Sequence, residues 1–271
     1  MQTTLYRDGE GWELPLLRSD LIAAPFAHGF SMRAGGVSAP PFDTLNLGAR
    51  WGDAPANVEE NRRRLRRAVG AAGPLYVVRQ VHGAGVAIVR AGDDPSSIAG
   101  MQADALVTSD PGVALGVFVA DCIPAIVVDP RTGAVAAVHA GWRGTVAGVL
   151  PVTVRMLAEE FGARAGDLRV ALGPAIGPCC FEVGVEVVDA FTAALGGAGG
   201  EVVRPSPRAA PGKWHVDLKG ANRILLERAG VAPDAIDAGP ECTCHDGERF
   251  FSYRRDRDRT GQQMGIVVRR D

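Results

Sequence analysis

Three residues of this chain could do chemistry together if the fold brings them to one point: His82, Cys122 and His139. Two imidazoles and a thiolate form a ligand set for a transition metal. Three protein ligands with a fourth position open is the pattern of catalytic zinc. Zinc held in this way would sit about 2.0–2.3 Å from its ligands and would lower the pKa of a bound water to roughly 7. Cys122 and His139 alone offer a second chemistry, a thiol nucleophile with its base, which would make a Cys-His hydrolase. His82 separates the two readings, because the metal needs it and the dyad does not. Copper is the less favoured ion. A single blue-copper site consumes two His and one Cys. With five His in total, and His28 and His215 far apart in the chain, a multi-copper cluster is hard to supply.

The elements that must position these residues lie in the stretch 120–144, ADCIPAIVVDPRTGAVAAVHAGWRG. Residues 123–128 are short, apolar and β-branched, which predicts a strand. Asp129-Pro130-Arg131-Thr132-Gly133 is turn chemistry, with Pro presetting φ and Gly free to take it positive. Residues 134–140 return as the second strand. Side chains alternate along a strand, so loop length decides the outcome. A four-residue loop, Pro130 to Gly133, puts Cys122 and His139 on one face. Cys122 is then diagonal to His139, roughly 7–8 Å away at the backbone and closer at the tips. His82 lies in His82-Gly83-Ala84-Gly85, the connection between expected strands at 75–80 and 86–90.

Other groups carry less. Cys179, Cys180, Cys242, Cys244 and His245 would make a second metal site only with difficulty, because adjacent cysteines and a CxC do not match the paired knuckles of structural zinc; buried or free thiols are expected instead. After His139, Gly141 and Gly144 let backbone approach closely at a helix entrance, where Arg143 and the helix N-terminus would attract an anion. No GxxxxGK occurs, and no GxGxxG follows a strand. The arginines at 62, 63, 64, 66 and 67 read as a solvated helix face paired with Glu59 and Glu60. Asn46 reads as a loop residue capping local backbone. In the tail, Asp256 and Asp258 offset the arginines of 254–259, so a solvated turn is expected there rather than a nucleic-acid grip.

The rest of the chain predicts one or two edge strands in 1–25, a helix over 57–69 capped by Asn57 and stopped by Gly70, and a strand over 112–119. A helix runs to about Phe161, with Pro151 forcing a kink or a late start. A strand at 168–172, a helix over 183–195, a mobile loop over 196–212, a helix over 218–229 with Asp217 as its cap, and a strand at 265–269 complete it. No linker or repeat divides the 271 residues, so one domain, 1–271, is expected.

Hydrophobic residues make up 46% and charged residues 22%, as in ordinary globular proteins, and the net charge of -2 implies no bulk attraction to nucleic acid or anionic membrane. No apolar run approaches a bilayer-spanning length, and the start MQTTLYRDGEGWELP has no secretory pattern. Five cysteines, an odd number, read as reduced thiols of a cytoplasmic protein.

HGFSMRAGGVS, TLNLG, ENRRRL, QVHG, ADALVT, ADCIP, HAGWRGT, GPAIGPCCFEVG, DLKGANRILL and FFSYRRD occur in this order from about residue 26 onward. Together they resemble the YfiH/YlmD family, also called the laccase-domain or polyphenol oxidase family, a purine nucleoside phosphorylase type. The resemblance implies an α+β fold of packed mixed β-sheets flanked by helices, similar to thiol hydrolases of the cytotoxic necrotizing factor kind. It implies zinc held by the residues of QVHG, ADC and HAGWRG, here His82, Cys122 and His139. It also implies phosphorolysis of adenosine, inosine and 5′-methylthioadenosine, together with adenosine deamination, so the partners are purine nucleosides and phosphate. Arg143 is then the expected phosphate contact, and Arg33 and Asn46, on family loops, are further candidates for substrate contact.

Overall fold

The run Ile123–Val128 is buried along its whole length because it is covered on both faces. It lies near the centre of a six-stranded sheet in the order Ile236–Ala238, Arg169–Leu172, Ile123–Val128, Val135–Ala140, Ala105–Thr108, Val86–Ile88. The middle pairs are antiparallel and the two edge pairs parallel. A second six-stranded sheet runs Gln2–Arg7, Glu13–Arg18, Phe26–Ser31, Gln263–Arg269, Ala114–Val119, Leu75–Tyr76, and only its last pair is parallel. The computed structural model describes residues 1–206 and 212–270.

Period-two alternation sorts each strand between layers. Ile126, Val128, Val135 and Ala137 face the other sheet, where Phe30, Leu115, Val117 and Val267 meet them. Ala125, Val127, Ala136 and Val138 face the opposite way, onto Leu150, Val154 and Leu157 of helix Val149–Phe161, with Phe191 and Leu226 of two further helices in the same cluster. The outer face of the second sheet packs Leu16, Ile266 and Val268 against Leu65, Ala68 and Val69 of helix Pro55–Val69. The result is the expected α+β architecture, two mixed sheets face to face with helices outside. No described helix is long and apolar enough to cross a membrane.

The hairpin has the expected register. Pro124 pairs with His139, and Asp129 N–H donates to Ala134 O at 2.8 Å, which leaves Pro130 to Gly133 as a four-residue loop. Other expectations are corrected. The first helix begins at Pro55, two residues before Asn57, because proline at the first helical positions loses no needed N–H; Gly70 stops it in the left-handed region, φ 73°. The helix after His139 is two helices, Trp142–Val146 and Val149–Phe161, divided at Gly148 with φ 78°. Pro151 falls in the first turn of the second, so the late start is what occurs. The strand expected at 75–80 stops at Tyr76. Val183 pairs with Trp214 in a small third sheet, which delays the next helix to Val185. Within 196–212, helix Gly199–Val202 and strand Val203–Pro205 replace the expected loop, and 207–211 lie outside the described residues.

Candidate metal centre

Cys122 immediately precedes its strand and shares a face with His139, whose partner Pro124 lies two positions further along the strand. His82 arrives from elsewhere. It is not on a hairpin tip between paired strands: the segment from Tyr76 to Val86 leaves one sheet and enters the other. The Gln80 side chain steers that crossover by imitating a strand. Its amide donates to Phe118 O and accepts from Phe118 N, both at 2.8 Å. His82 then takes φ 61°, a left-handed conformation that costs a residue with a Cβ about 1–2 kcal/mol.

Asp104 holds that conformation. Its carboxylate accepts the backbone N–H of Val81 at 3.3 Å, His82 at 2.9 Å and Gly83 at 2.7 Å, a concave nest of amides around one anion. The same carboxylate lies 2.7 Å from His139 Nδ1, which assigns the proton of the neutral ring to Nδ1 and leaves Nε2 as the donor atom for a metal. Asp104 is fully buried. Burial alone would raise its pKa, but the His139 hydrogen bond and the amides lower it below the usual carboxylate value.

The donor atoms of His82, Cys122 and His139 lie within 4.8 Å of one another. Cys122 Sγ is 4.0 Å from His82 Nε2, and the two imidazoles meet edge to face, 4.7 Å between centroids. Burial pushes the Cys122 thiol up, yet the charge of His139 and hydrogen bonds from both rings outweigh it and bring the thiol down to about 6. Burial likewise pulls His139 down, while the Cys122 thiolate and Asp104 raise it to about 9. Three soft-to-borderline donors with a carboxylate behind one imidazole fit zinc, and the same two His and one Cys also fit copper.

Gly141 leaves room for this centre. A Cβ there would lie 2.9 Å from Cys122 Sγ and 3.0 Å from His82 Cδ2. At Gly144 a Cβ would lie 2.9 Å from Gly83 O, so both glycines of HAGWRG let the helix entrance pack closely against Cys122 and the His82 loop. Asp121, just before Cys122, has φ 91°. Its carboxylate accepts Thr243 Oγ1 at 2.7 Å and Arg254 N at 2.6 Å.

A cavity of about 190 Å³ opens on the three side chains, with Arg50, Trp51, Gln80, Phe118 and Gln262 in its wall. The residues expected to touch substrate do not line it. Arg143 is exposed, with its guanidinium over the Trp142 ring at 4.3 Å. Asn46 is buried, donating to Gly48 O and Asp53 and accepting from Gly48 N and, at 2.8 Å, from Gln262 N. Arg33 is bound to Asp43 at 3.0 Å and to Gly247 O, beside a different cavity. Asp104, Arg50, Trp51, Gln80 and Gln262 were not singled out from the sequence. Asp104 and Gln80 left a trace, as the acid of ADALVT and the first residue of QVHG.

The remaining histidines do not gather. His28 Nε2 accepts Ser19 N–H at 2.9 Å inside the second sheet, and His215 faces Ser206 and Glu182. The tail is a solvated turn only over 257–259, which are exposed; before it, Arg254 donates to Cys180 O and Glu182 O, and Arg255 to Thr243 O, Cys244 O and Phe250 O. The helical arginines do pair as expected, with Glu60 between Arg63 at 2.7 Å and Arg64 at 2.8 Å.

Residues 27–270 match the family model described as multi-copper polyphenol oxidoreductase laccase. A purine nucleoside phosphorylase of Pseudomonas aeruginosa is 46% identical over 239 residues, 88% of this chain and 91% of the relative. One from Deinococcus radiodurans is 42% identical over 255 residues, 94% of this chain and 92% of the relative. The crystal structure of YlmD from Geobacillus stearothermophilus superposes with a TM-score of 0.86 at 34% identity, covering 100% of both chains. That of the Bacillus licheniformis hypothetical protein YfiH gives 0.84 at 31%, covering 90% of this chain and 92% of the other.

Proposed function

Since the chain belongs to the YfiH/YlmD family, whose model carries the laccase description, we propose that it is a zinc-dependent purine nucleoside phosphorylase acting as a single domain. Adenosine, inosine and 5′-methylthioadenosine are its proposed substrates, with adenosine deamination as a second activity. The observation that carries this reading is the convergence of His82, Cys122 and His139 within 4.8 Å at the mouth of a cavity. The curated relatives named purine nucleoside phosphorylase support the substrate class.

Zinc held by these three residues would supply a Lewis acid and an activated water, the chemistry that zinc deaminases use on purines. The protein's own groups do the rest. Asp104 keeps the His139 proton on Nδ1 and so keeps Nε2 turned to the centre. Trp51, stacked on Tyr253 at 5.8 Å and with Arg50 over its ring at 5.5 Å, and Phe118, with Arg62 over its ring at 4.9 Å, are the aromatic groups in the wall, a ring type suited to a purine. Gln80 and Gln262 supply polar contacts in the same wall. Phosphate needs a cation beside the sugar, and we assign that role to Arg50, which lines the cavity, in place of Arg143. Asn46 acts indirectly, by accepting the Gln262 backbone N–H, while Arg33, tied to Asp43 O, is left as a candidate for substrate contact at its own cavity. Five free thiols support a cytoplasmic setting.

The test is release of free base from each nucleoside with and without inorganic phosphate, and conversion of adenosine to inosine without it. Cys122→Ala should lose both bound zinc and base release. No phosphate-dependent release by the wild-type protein would sink the assignment. The buried Asp104–His139–Cys122 series favours a second reading, a Cys-His hydrolase or amidase. A covalent adduct trapped on Cys122 in metal-free, active protein would select it. Oxidation of phenols by copper-loaded protein would select the polyphenol oxidase reading that the family description carries.

A further inference from the structure

We propose that Cys179, Cys180 and Cys242 form a second metal site, for a soft thiophilic cation, zinc or copper(I). Their sulfur atoms lie within 4.8 Å of one another, with Cys179 and Cys180 Sγ 3.6 Å apart. Ligands about 2.3 Å from a shared ion stand just under 4 Å from each other, so the three sulfurs are already near the required spacing. Thiolates without carboxylates select zinc or copper(I) over magnesium or calcium.

The spacing of these cysteines argued against a site because no CxxC pair exists. The tertiary structure supplies what the spacing lacks. Loop 177–181 and loop 241–245 are laid side by side by the parallel bridge of Ala175 with Cys242, and Thr243 N–H donates to Ala175 O at 3.0 Å. Gly177 N–H points at Cys242 Sγ, 3.1 Å away, as amides do toward ligating thiolates. Gly177 itself packs against the sulfurs: a Cβ there would lie 3.2 Å from Cys242 Cβ and in van der Waals contact, 3.5 Å, with Cys179 Sγ and Cys242 Sγ.

Cations brace both loops. Lys219 Nζ donates to Glu241 O at 3.1 Å, Arg254 to Cys180 O at 3.1 Å, and Arg255 to Cys244 O at 3.2 Å. Their positive charge offsets the net negative charge of three thiolates around a mono- or dication. Each thiol gives its proton to solvent as its sulfur takes the ion, so binding weakens with falling pH. Cys179 is exposed and lines a cavity of about 420 Å³, which provides the entry path. Occupancy would fix the 241–245 loop, whose Thr243 holds Asp121 beside Cys122.

The test uses the full chain carrying Cys122→Ser, which silences the His82–His139 centre. Reduced, metal-free protein is titrated with zinc, and separately with copper(I), against a chromophoric chelator. One equivalent of one of the two ions should bind, with a rise in Tm, and the arm that binds identifies the ion. Adding Cys179→Ser, at an exposed position where the fold is not at risk, should abolish that equivalent and the Tm shift. Three outcomes would overturn the proposal: neither ion binds, the double variant binds as well as the single one, or thiol counting finds a Cys179–Cys242 disulfide in protein purified anaerobically.

Discussion

Asp104 accepts from the His139 ring and from three successive amides around His82, so one carboxylate orients one imidazole and shapes the loop of the other. Asp104→Asn turns an NH₂ toward those donors and leaves some unpaired. Zinc affinity should fall about 10–100-fold, read by chelator competition, as for other groups that hold a ligating imidazole. Unchanged affinity would show that His139 needs no such support. Gly141→Ala places a methyl 2.9 Å from Cys122 Sγ and 3.0 Å from His82 Cδ2. Both belong to the proposed metal centre. The variant should keep its circular dichroism spectrum and lose most bound metal. Full metal retention would mean that the helix entrance can retreat.

At the scale of elements, one strand of the second sheet carries a buried imidazole whose charge state bears on stability. His28 sits in Phe26–Ser31, the middle of the second sheet. Burial first, then the Arg18 charge, hold its imidazole down at about 4 against an ordinary 6.5. Between these values the unfolded chain binds a proton that the folded chain refuses. Stability is therefore whole above pH 6.5 and falls as pH drops toward 4, by at most about 3 kcal/mol. His28→Gln, which keeps an acceptor for Ser19 N–H, should flatten that slope in denaturant titrations at pH 7 and pH 4.5. An identical slope would place the acid sensitivity elsewhere. In the first six-stranded sheet, the hairpin strands hold Cys122 and His139 to one face through an even-numbered loop, so their pairing is a property of register rather than of either strand.

Across the whole molecule, the site is where segments far apart in the chain are made to meet. Thr243 reaches Asp121 across 122 positions and, with the Arg254 amide, pins a left-handed residue next to Cys122. Thr243→Val keeps the shape and removes the donor. It should cost about 1–3 kcal/mol, the price of a buried carboxylate oxygen left unpaired. It should also lower metal affinity at Cys122, though the two residues never touch through side-chain hydrogen bonds. Wild-type metal binding in a destabilised Thr243→Val protein would confine this tie to folding alone.

What the amino-acid sequence determined by itself was local. Turn chemistry at Asp129 to Gly133 and β-branched runs on either side specify the hairpin, and parity of the loop puts Cys122 beside His139. The glycines of HAGWRG announce a close approach, and Gly70 ends its helix. Such features are set by φ preferences and a two-residue period, which act over a few positions and are written in them. The tertiary structure alone decided the rest. His82 lies on a crossover between sheets and not on a hairpin tip, because the chain changes layer there. Asp104 became the hub of the centre, Arg254 and Arg255 became internal braces, and Cys242 met Cys179 and Cys180. Each of these depends on which faces of two sheets pack together, and that is fixed by burial of apolar surface summed over the whole chain, leaving no mark in the spacing of any one motif.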